Sequence, residues 1–442
     1  MVGGVMRSRL LCPEEDAQDI DLMLIGDLQS FAENVADVFK SRVVSINRQF
    51  DTVMIPSRKV NFELSGPRIA RYIDDESLSL PSDPLERDLL LRDFTINALA
   101  LPLSPQKGDV VDPAGGRKDI ADRVIRTPIE ADITIQEDPL RLMRAARFAA
   151  QLDFSVAPPL LKAMHRNRKL LAKVSIERIT AELLKIISTP KPSIGLKLLY
   201  VTGILDTFSP ELSELANLNQ DKRHHHKNIF EHTLKVLDNV AENGGSLHTR
   251  LAALLHDIGK PVTRRYDKVQ GWTFHGHEVI GERMVRRLGK SWKMPSSLMN
   301  TTSKLVRLHM RPINLTDEGV TDSAVRRLGF QVGEHIDDLI TLCRADVTSS
   351  DPRRVKRYLA NFERVVAHLK KVEEKDEIRA FQSPVRGEVI MAEAGLEPGP
   401  EVGKLKKMIE EAILDGKIPN DYDAALEYLR DQIGTGEKSK RS

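Results

Sequence analysis

At 442 residues the chain is too long for one ordinary hydrophobic core, so several domains are expected. Hydrophobic residues make up 41% and charged residues 29%, which excludes a disordered or fibrous chain, and no apolar run approaches the ~20 residues of a spanning helix. A formal net charge of +2 excludes a uniformly basic nucleic-acid binder, and two cysteines, Cys12 and Cys343, exclude a disulfide framework or a cysteine-rich metal site. With no basic-plus-apolar leader, a soluble, cytoplasmic protein without a membrane anchor is expected.

The chain opens on Met1-Val2-Gly3-Gly4 with no element before it, as though a strand had been cut near its end. Gly3-Gly4 followed by Arg7 fits a backbone that lets phosphate approach a guanidinium; a tight turn is the plainer reading. The run Asp19-Ile-Asp-Leu-Met-Leu-Ile25 reads as a strand, because Ile20, Leu22 and Leu24 alternate with Asp19, Asp21 and Met23. Period two throws both carboxylates onto one face, where they can hold divalent cations or simply face water. Helical periodicity spans 28–39, and strand-like runs follow at 42–47, 52–55 and 60–64. Glu63, in the last run, is either a further carboxylate for the metal face or a surface acid.

Next come Leu91-Arg92-Asp93-Phe94-Thr95-Ile96-Asn97 and then Asp112-Pro113-Ala114-Gly115-Gly116, a turn before a helix start whose glycines can act as a hinge. Glu137-Asp138-Pro139-Leu140-Arg141 opens another helix. Asp138 before Pro139 has the form of an N-cap followed by proline at the first helical position. Asp138 and Arg141 also share one face of the first turn, an acceptor and a donor fork able to read a base edge. Between 152 and 215 the pattern is helical. Ile176, Ile179, Leu183 and Ile186 form a core stripe, Ser175 is placed to cap it, and Glu177-Arg178 to pair with the helix at Pro139. Basic residues from Lys162 to Lys173 are a stripe for an RNA backbone or a solvated face.

Histidines concentrate between His224 and His309. His232 precedes Leu251-Ala-Ala-Leu-Leu-His256-Asp257-Ile-Gly259-Lys260-Pro261, an apolar helix ending in adjacent His-Asp. His277, His309 and Asp346 follow. A separated His, an adjacent His-Asp and a distant helical Asp supply nitrogen and oxygen ligands suited to a divalent cation, though a buried His-Asp pair also serves as an ordinary core hydrogen bond. His224-His225-His226 reads as a solvated loop. Beyond 354, charged helices over 356–371 and 402–414 are broken by Pro384 and Pro398-Gly399-Pro400, and 434–442 reads as a disordered tail.

Taken in order, Gly3-Gly4…Arg7, Asp19-Ile-Asp21, Arg92-Asp-Phe-Thr-Ile-Asn97, Asp112-Pro-x-Gly-Gly116, Glu137-Asp-Pro-Leu-Arg141 and Ser175-Ile-Glu-Arg-Ile179 with Glu182 resemble the class II tRNA nucleotidyltransferase / bacterial poly(A) polymerase family. The form resembled carries an appended HD domain, whose phosphohydrolase superfamily His232, His256, Asp257 and Asp346 match as ligands, with His277 and His309 as secondary ligands or phosphate contacts. The resemblance implies an α+β multidomain fold: a small mixed β-sheet nucleotidyltransferase head like that of polymerase beta over 1–130, a helical neck over 131–215, an HD domain over 216–355 and a helical tail over 356–442. It implies Mg²⁺ on Asp19 and Asp21, triphosphate on Gly4 and Arg7, and nucleotide contacts from Arg92 and Asn97. Glu137, Asp138 and Arg141 would select CTP and then ATP, with Arg144 steadying them, and the HD site would hold a divalent transition metal or Mg²⁺. The partner implied is tRNA, at its acceptor stem and 3′ end. Ser8 where the family has Asp, Leu91 where it has Arg, and the short start are departures. Two alternatives remain open: a poly(A)-making enzyme, or a degenerate tRNA-binding head beside a working HD phosphohydrolase.

Overall fold

The computed structural model describes residues 1–12, 14, 19–47, 52–57, 60–67, 80–103, 108–218, 228–314, 322–348, 351, 353, 355–357, 359–360, 362–367 and 383–439. The histidine triplet at 224–226 lies outside them. The chain forms two compact units, Met1–Asn219 with Lys290–Met294, and Gln220–Gly289 with Pro295–Ser442.

The first unit begins with helix α1 (Gly4–Leu11) and strand β1 (Asp19–Met23). Helix α2 (Leu28–Val38) follows, capped by Asp27, which accepts from the amides of Gln29 and Ser30. Strands β2 (Val44–Asn47), β3 (Thr52–Ile55) and β4 (Asn61–Ser65) complete a sheet of order β1-β4-β3-β2. β1 runs parallel to β4 and the other pairs are antiparallel, giving the mixed sheet expected. Alternation works on both faces of β1. Leu22 packs with Val53, Ile55, Leu64 and the alanines of α2, while Met23 joins Val2, Leu89, Ala98 and Ala100 opposite. Asp21 therefore faces the segment that carries Arg92. Residues 1–3 are buried and hydrogen-bonded: the Val2 amide donates to Asp21 O (2.9 Å), and Gly3 to Leu99 O (3.1 Å).

After α3 (Pro84–Leu90) come α4 (Gly116–Asp122), β5 (Val124–Ile125), α5 (Ala131–Glu137), α6 (Arg141–Leu152), β6 (Ser155–Val156), α7 (Pro158–Asn167), α8 (Ile176–Ile187) and α9 (Pro192–Val201). Short helices α10 (Leu205–Phe208) and α11 (Pro210–Glu214) end this helical part. Gly115 takes φ +73°, and a Cβ on Gly116 would lie 2.1 Å from the Thr95 carbonyl, so Gly116 marks a tight packing contact. Asp112 fixes the turn by accepting from the amides of Gly116 (2.6 Å) and Arg117 (3.0 Å). The α8 stripe is buried at Ile179, Leu183, Ile186 and Ile187; Ser175 stands at the N-cap position but makes no side-chain cap bond.

The second unit contains α12 (Ile229–Glu242), α13 (Leu247–Leu255), α14 (Lys260–Thr263), a two-stranded ribbon of β7 (Arg265–Asp267) and β8 (Gly271–Thr273), α15 (His277–Ser291), α16 (Ser296–Leu308), α17 (Arg311–Asn314), α18 (Asp322–Val332) and α19 (Ile336–Asp346). Helices Gly387–Ala394, Pro400–Leu414 and Tyr422–Ser439 enclose their own core of Val385, Ile390, Ile409, Ile413, Ala425 and Leu429. The last helix runs to Ser439. Among the described residues no helix is long and apolar enough to cross a membrane.

Candidate active site and candidate metal centre

Asp19 and Asp21 lie on the same side of β1, the Asp19 carboxylate accepting from Asn61 Nδ2 (3.0 Å). Glu63 is directly beside Asp21 in the parallel register, on the neighbouring strand. An ideal Cβ on Gly3 would lie 3.2 Å from Asp21 Oδ2 and 2.7 Å from Arg92 Nη1, so the missing side chain admits both groups to the same spot. Arg92 is buried and held by Asp88 (2.9 Å). Gly4 opens α1, and one turn on Arg7 is 8% exposed, donating to Asn97 Oδ1 (2.6 Å). Asn97 in turn donates to Asp93 Oδ1 (3.0 Å), while Arg144 reaches Asp93 Oδ2 through Nε (2.8 Å). Three expected site residues, Arg7, Asn97 and Arg144, thus converge on Asp93, a member of the Arg92–Asn97 motif to which the sequence reading gave no role of its own.

The electrostatics follow from burial. Desolvation lowers Arg7 to about 10, partly offset by Asp93, and its Nε makes no hydrogen bond. Burial would raise Asp93, but Arg144, Asn97 and Arg141 outweigh it and hold the carboxyl well below the usual range. Phe148 lies beneath three guanidinium groups, with Arg7 4.9 Å, Arg144 5.5 Å and Arg147 4.0 Å from its ring centroid. Arg147 is paired with the buried Glu182 (2.6 Å). A concentration of fixed positive charge around few carboxylates suits an anionic ligand.

Asp138 is not the N-cap expected, since α6 starts at Arg141 with Leu140 in the cap position; its Oδ1 accepts from the Leu140 amide (3.1 Å), and its Oδ2 accepts from Arg178 (3.0 Å). The pairing of Arg178 with this helix is the one expected, whereas Glu177 instead meets Lys293 (2.5 Å). Arg141 is buried, and its Nη atoms donate to the carbonyls of Thr134 (3.1 Å) and Leu91 (2.8 Å). In this conformation its fork holds the backbone around the site. Glu137 ends α5, immediately before Asp138. In the basic stretch, Arg166 is committed to Asp132 and Arg168 to the His165 carbonyl, while Lys162, Lys169 and Lys173 face water.

In the second unit the expected ligands come together from five elements. His232 lies on α12, His256 and Asp257 follow α13, and Asp346 ends α19; His277 opens α15 and His309 follows α16. His232, His256 and Asp346 form one group whose ligand atoms lie within 4.8 Å of one another, and Asp257, His277 and His309 form a second. Asp257 links them: its Oδ2 is 3.2 Å from His256 Nε2, and its Oδ1 is 3.6 Å from His277 Nε2. The Nδ1 atoms of His256, His277 and His309 sit 2.8, 2.9 and 2.7 Å from the carbonyls of Ala253, Phe274 and Val306. A carbonyl only accepts, so each Nδ1 carries a proton and each Nε2 is turned into the cluster. The Nδ1 of His232 meets Thr348 Oγ1 (2.9 Å), leaving its Nε2 2.9 Å from Asp346. His256 Nε2 is buried without a hydrogen bond.

Burial acts to lower His256, but Asp257 and Asp346 outweigh it and raise it to about 9; burial and the His256 charge lower His309 to about 4. Both carboxyls, despite burial, are held low by the surrounding cations. Such a site calls for positive charge at its centre, and the donor set fits divalent metal. Lys260, unassigned by the sequence reading, donates to Asp257 Oδ2 (2.7 Å).

Residues 1–126 match the family model described as the poly A polymerase head domain, residues 153–215 that of the probable RNA and SrmB-binding site of polymerase A, and residues 229–351 the HD domain. The A-adding tRNA nucleotidyltransferase of Deinococcus radiodurans is 33% identical over 370 residues, 80% of this chain and 81% of that protein. The CC-adding tRNA nucleotidyltransferase of Thermus thermophilus is 32% identical over 351 residues, 77% of this chain and 76% of its own. Among solved structures, the Bacillus stearothermophilus CCA-adding enzyme in complex with CTP superposes with a TM-score of 0.63 at 25% identity, covering 99% of this chain and 94% of that one.

Proposed function

The chain belongs to the tRNA nucleotidyltransferase / poly(A) polymerase family, and from that premise we propose that it adds CCA, or part of it, to tRNA 3′ ends from CTP and ATP. The observation that supports this most is the convergence of Asp21, Arg92 and Arg7 around the glycine pair, with Arg7 linked through Asn97 and Asp93 to Arg144, a carboxylate face set against buried cations. The tRNA 3′-hydroxyl attacks the α-phosphate of the nucleotide, a P–O bond forms there, and the bond to pyrophosphate breaks. Asp19 and Asp21 would hold Mg²⁺, which would supply activation of the hydroxyl and neutralisation of the departing pyrophosphate. Gly4 and Arg7 receive the triphosphate, and Asn97 and Arg92 orient the nucleotide. Arg144, tied to Asp93, steadies the helix start where Glu137, Asp138 and Arg141 discriminate between bases. Such discrimination requires Asp138 and Arg141 to leave Arg178 and the backbone carbonyls on nucleotide binding. The basic face of the neck takes the acceptor stem, and cytoplasmic work on tRNA is the setting proposed. Asp19→Ala and Asp21→Ala should each lower incorporation of labelled CTP by at least about 10³-fold with the melting temperature preserved. Retained incorporation in either folded variant contradicts the assignment.

A second activity is favoured by the four inward-facing Nε2 atoms of the second unit. We read His232, His256 and Asp346 as one metal position and His277, His309 and Asp257 as another, the Asp257 carboxylate spanning both. Metal there would supply an activated water for phosphoester hydrolysis, while Lys260 holds Asp257 in place. Hydrolysis of 2′,3′-cyclic CMP with added Ni²⁺ or Mn²⁺, abolished in His256→Ala, is the expected result; no hydrolysis with any of these metals removes this reading.

A further inference from the structure

The β7–β8 ribbon, which the sequence did not signal, leads out of the metal centre and carries an unusual surface. Tyr266 and Trp272 are direct cross-strand partners, their ring centroids 5.2 Å apart and their planes at 72°. Arg264 lays its guanidinium 3.7 Å from the Trp272 centroid. Tyr266 is nevertheless 62% exposed, Trp272 38%, and Val269 at the tip 88%. Two three-residue strands gain little stability alone, and these rings contribute little to the core.

The charge is one-sided. Arg264, Arg265 and Lys268 face a single acid, Asp267, whose carboxylate closes the turn by accepting from the amides of Val269 and Gln270, both at 2.8 Å. Both feet of the ribbon end on metal-centre residues. On one side Lys260 donates to Asp257 and stands 5.7 Å from the Phe274 ring centroid; on the other, the Phe274 carbonyl accepts from His277 Nδ1. Trp272 is two residues from Phe274, roughly 7 Å along the strand. Exposed rings beside cations, a step from a phosphate-handling centre, are the elements of a single-strand nucleic-acid platform.

We propose that this ribbon holds the single-stranded 3′ end of an RNA, with bases stacked on Tyr266 and Trp272 and phosphodiesters against Arg265 and Lys268, so that the terminal phosphate reaches the metal centre. The proposal rests on the reading of that centre as a phosphohydrolase and names the form of its substrate: an oligonucleotide end rather than a free nucleotide. The shift in stacking is directly readable, because the only other tryptophan, Trp292, is buried.

The test uses the full chain and a short oligoribonucleotide ending in a 2′,3′-cyclic phosphate. Binding should quench Trp272 fluorescence saturably, and Tyr266→Ala should weaken it roughly tenfold. With metal added, Trp272→Ala should lower kcat/KM for the oligonucleotide relative to 2′,3′-cyclic CMP roughly tenfold through KM, and Trp272→Phe should restore most of it. Absence of quenching, equal quenching by heparin (a polyanion without bases), or equal losses on both substrates would overturn the platform. Quenching without hydrolysis of either substrate would instead overturn the phosphohydrolase reading and leave the platform standing.

Discussion

Arg141 and Arg144 are one helical turn apart, yet burial gives them different work. Arg141 spends its guanidinium on two main-chain carbonyls, while Arg144 neutralises Asp93 beside Asn97. Period two made the shared face of Asp19 and Asp21 legible, since it follows from backbone geometry alone. Asp93 was not legible, because its role depends on contacts from residues 97 and 144 that no local pattern reports. It also makes a prediction with a definite sign. Its folded carboxyl is depressed, so its contribution is present above the ordinary Asp value near 3.9 and is lost as pH falls toward the folded value. Asp93→Asn should therefore cost about 3 kcal/mol at pH 7, where it strands buried guanidinium charge. The gap in melting temperature from the parent should hold between pH 6 and about 4 and narrow only as pH falls below about 4 toward 3. A gap independent of pH would show that charge at Asp93 is not what stabilises the head.

At the scale of elements, helices with a strong apolar stripe were the easiest to read, as α8 illustrates: hydrophobic spacing predicts which side is buried whatever packs against it. Caps were harder, since Ser175 occupies the right position without making the bond. The β7–β8 ribbon is not legible in the sequence because each strand is only three residues long, too short for its alternation to register; its pairing carries a cross-strand aromatic contact. The turn into α4 has the glycine content of a hinge, yet in the structure Gly116 packs closely on the Thr95 carbonyl. Gly116→Ala should destabilise the first unit by about 1–3 kcal/mol, measured by denaturant unfolding, because the new methyl group must displace the Thr95 carbonyl. A variant as stable as the parent would show that the α4 contact yields without cost.

Across the whole molecule, two units carry two chemistries: an acid pair among buried cations in one and a histidine-carboxylate cluster in the other. The histidine spacing signalled the cluster, but its division into two groups joined by Asp257 needed coordinates, because the two oxygens of one carboxylate are indistinguishable in sequence. Full-length protein loaded with Mn²⁺ or Ni²⁺ should hold two ions per chain in the second unit, measured on Asp19→Ala/Asp21→Ala protein so that the head does not contribute. His309→Ala should reduce this to one; a parent value of one would remove the second position. The head's chemistry has the more direct test. tRNA ending before its CCA should gain two nucleotides with CTP alone and three with CTP and ATP together, then stop. A tail of many adenosines from ATP alone, or no extension by the folded chain of tRNA ending either before CCA or after CC, would contradict the assignment of this protein to CCA addition.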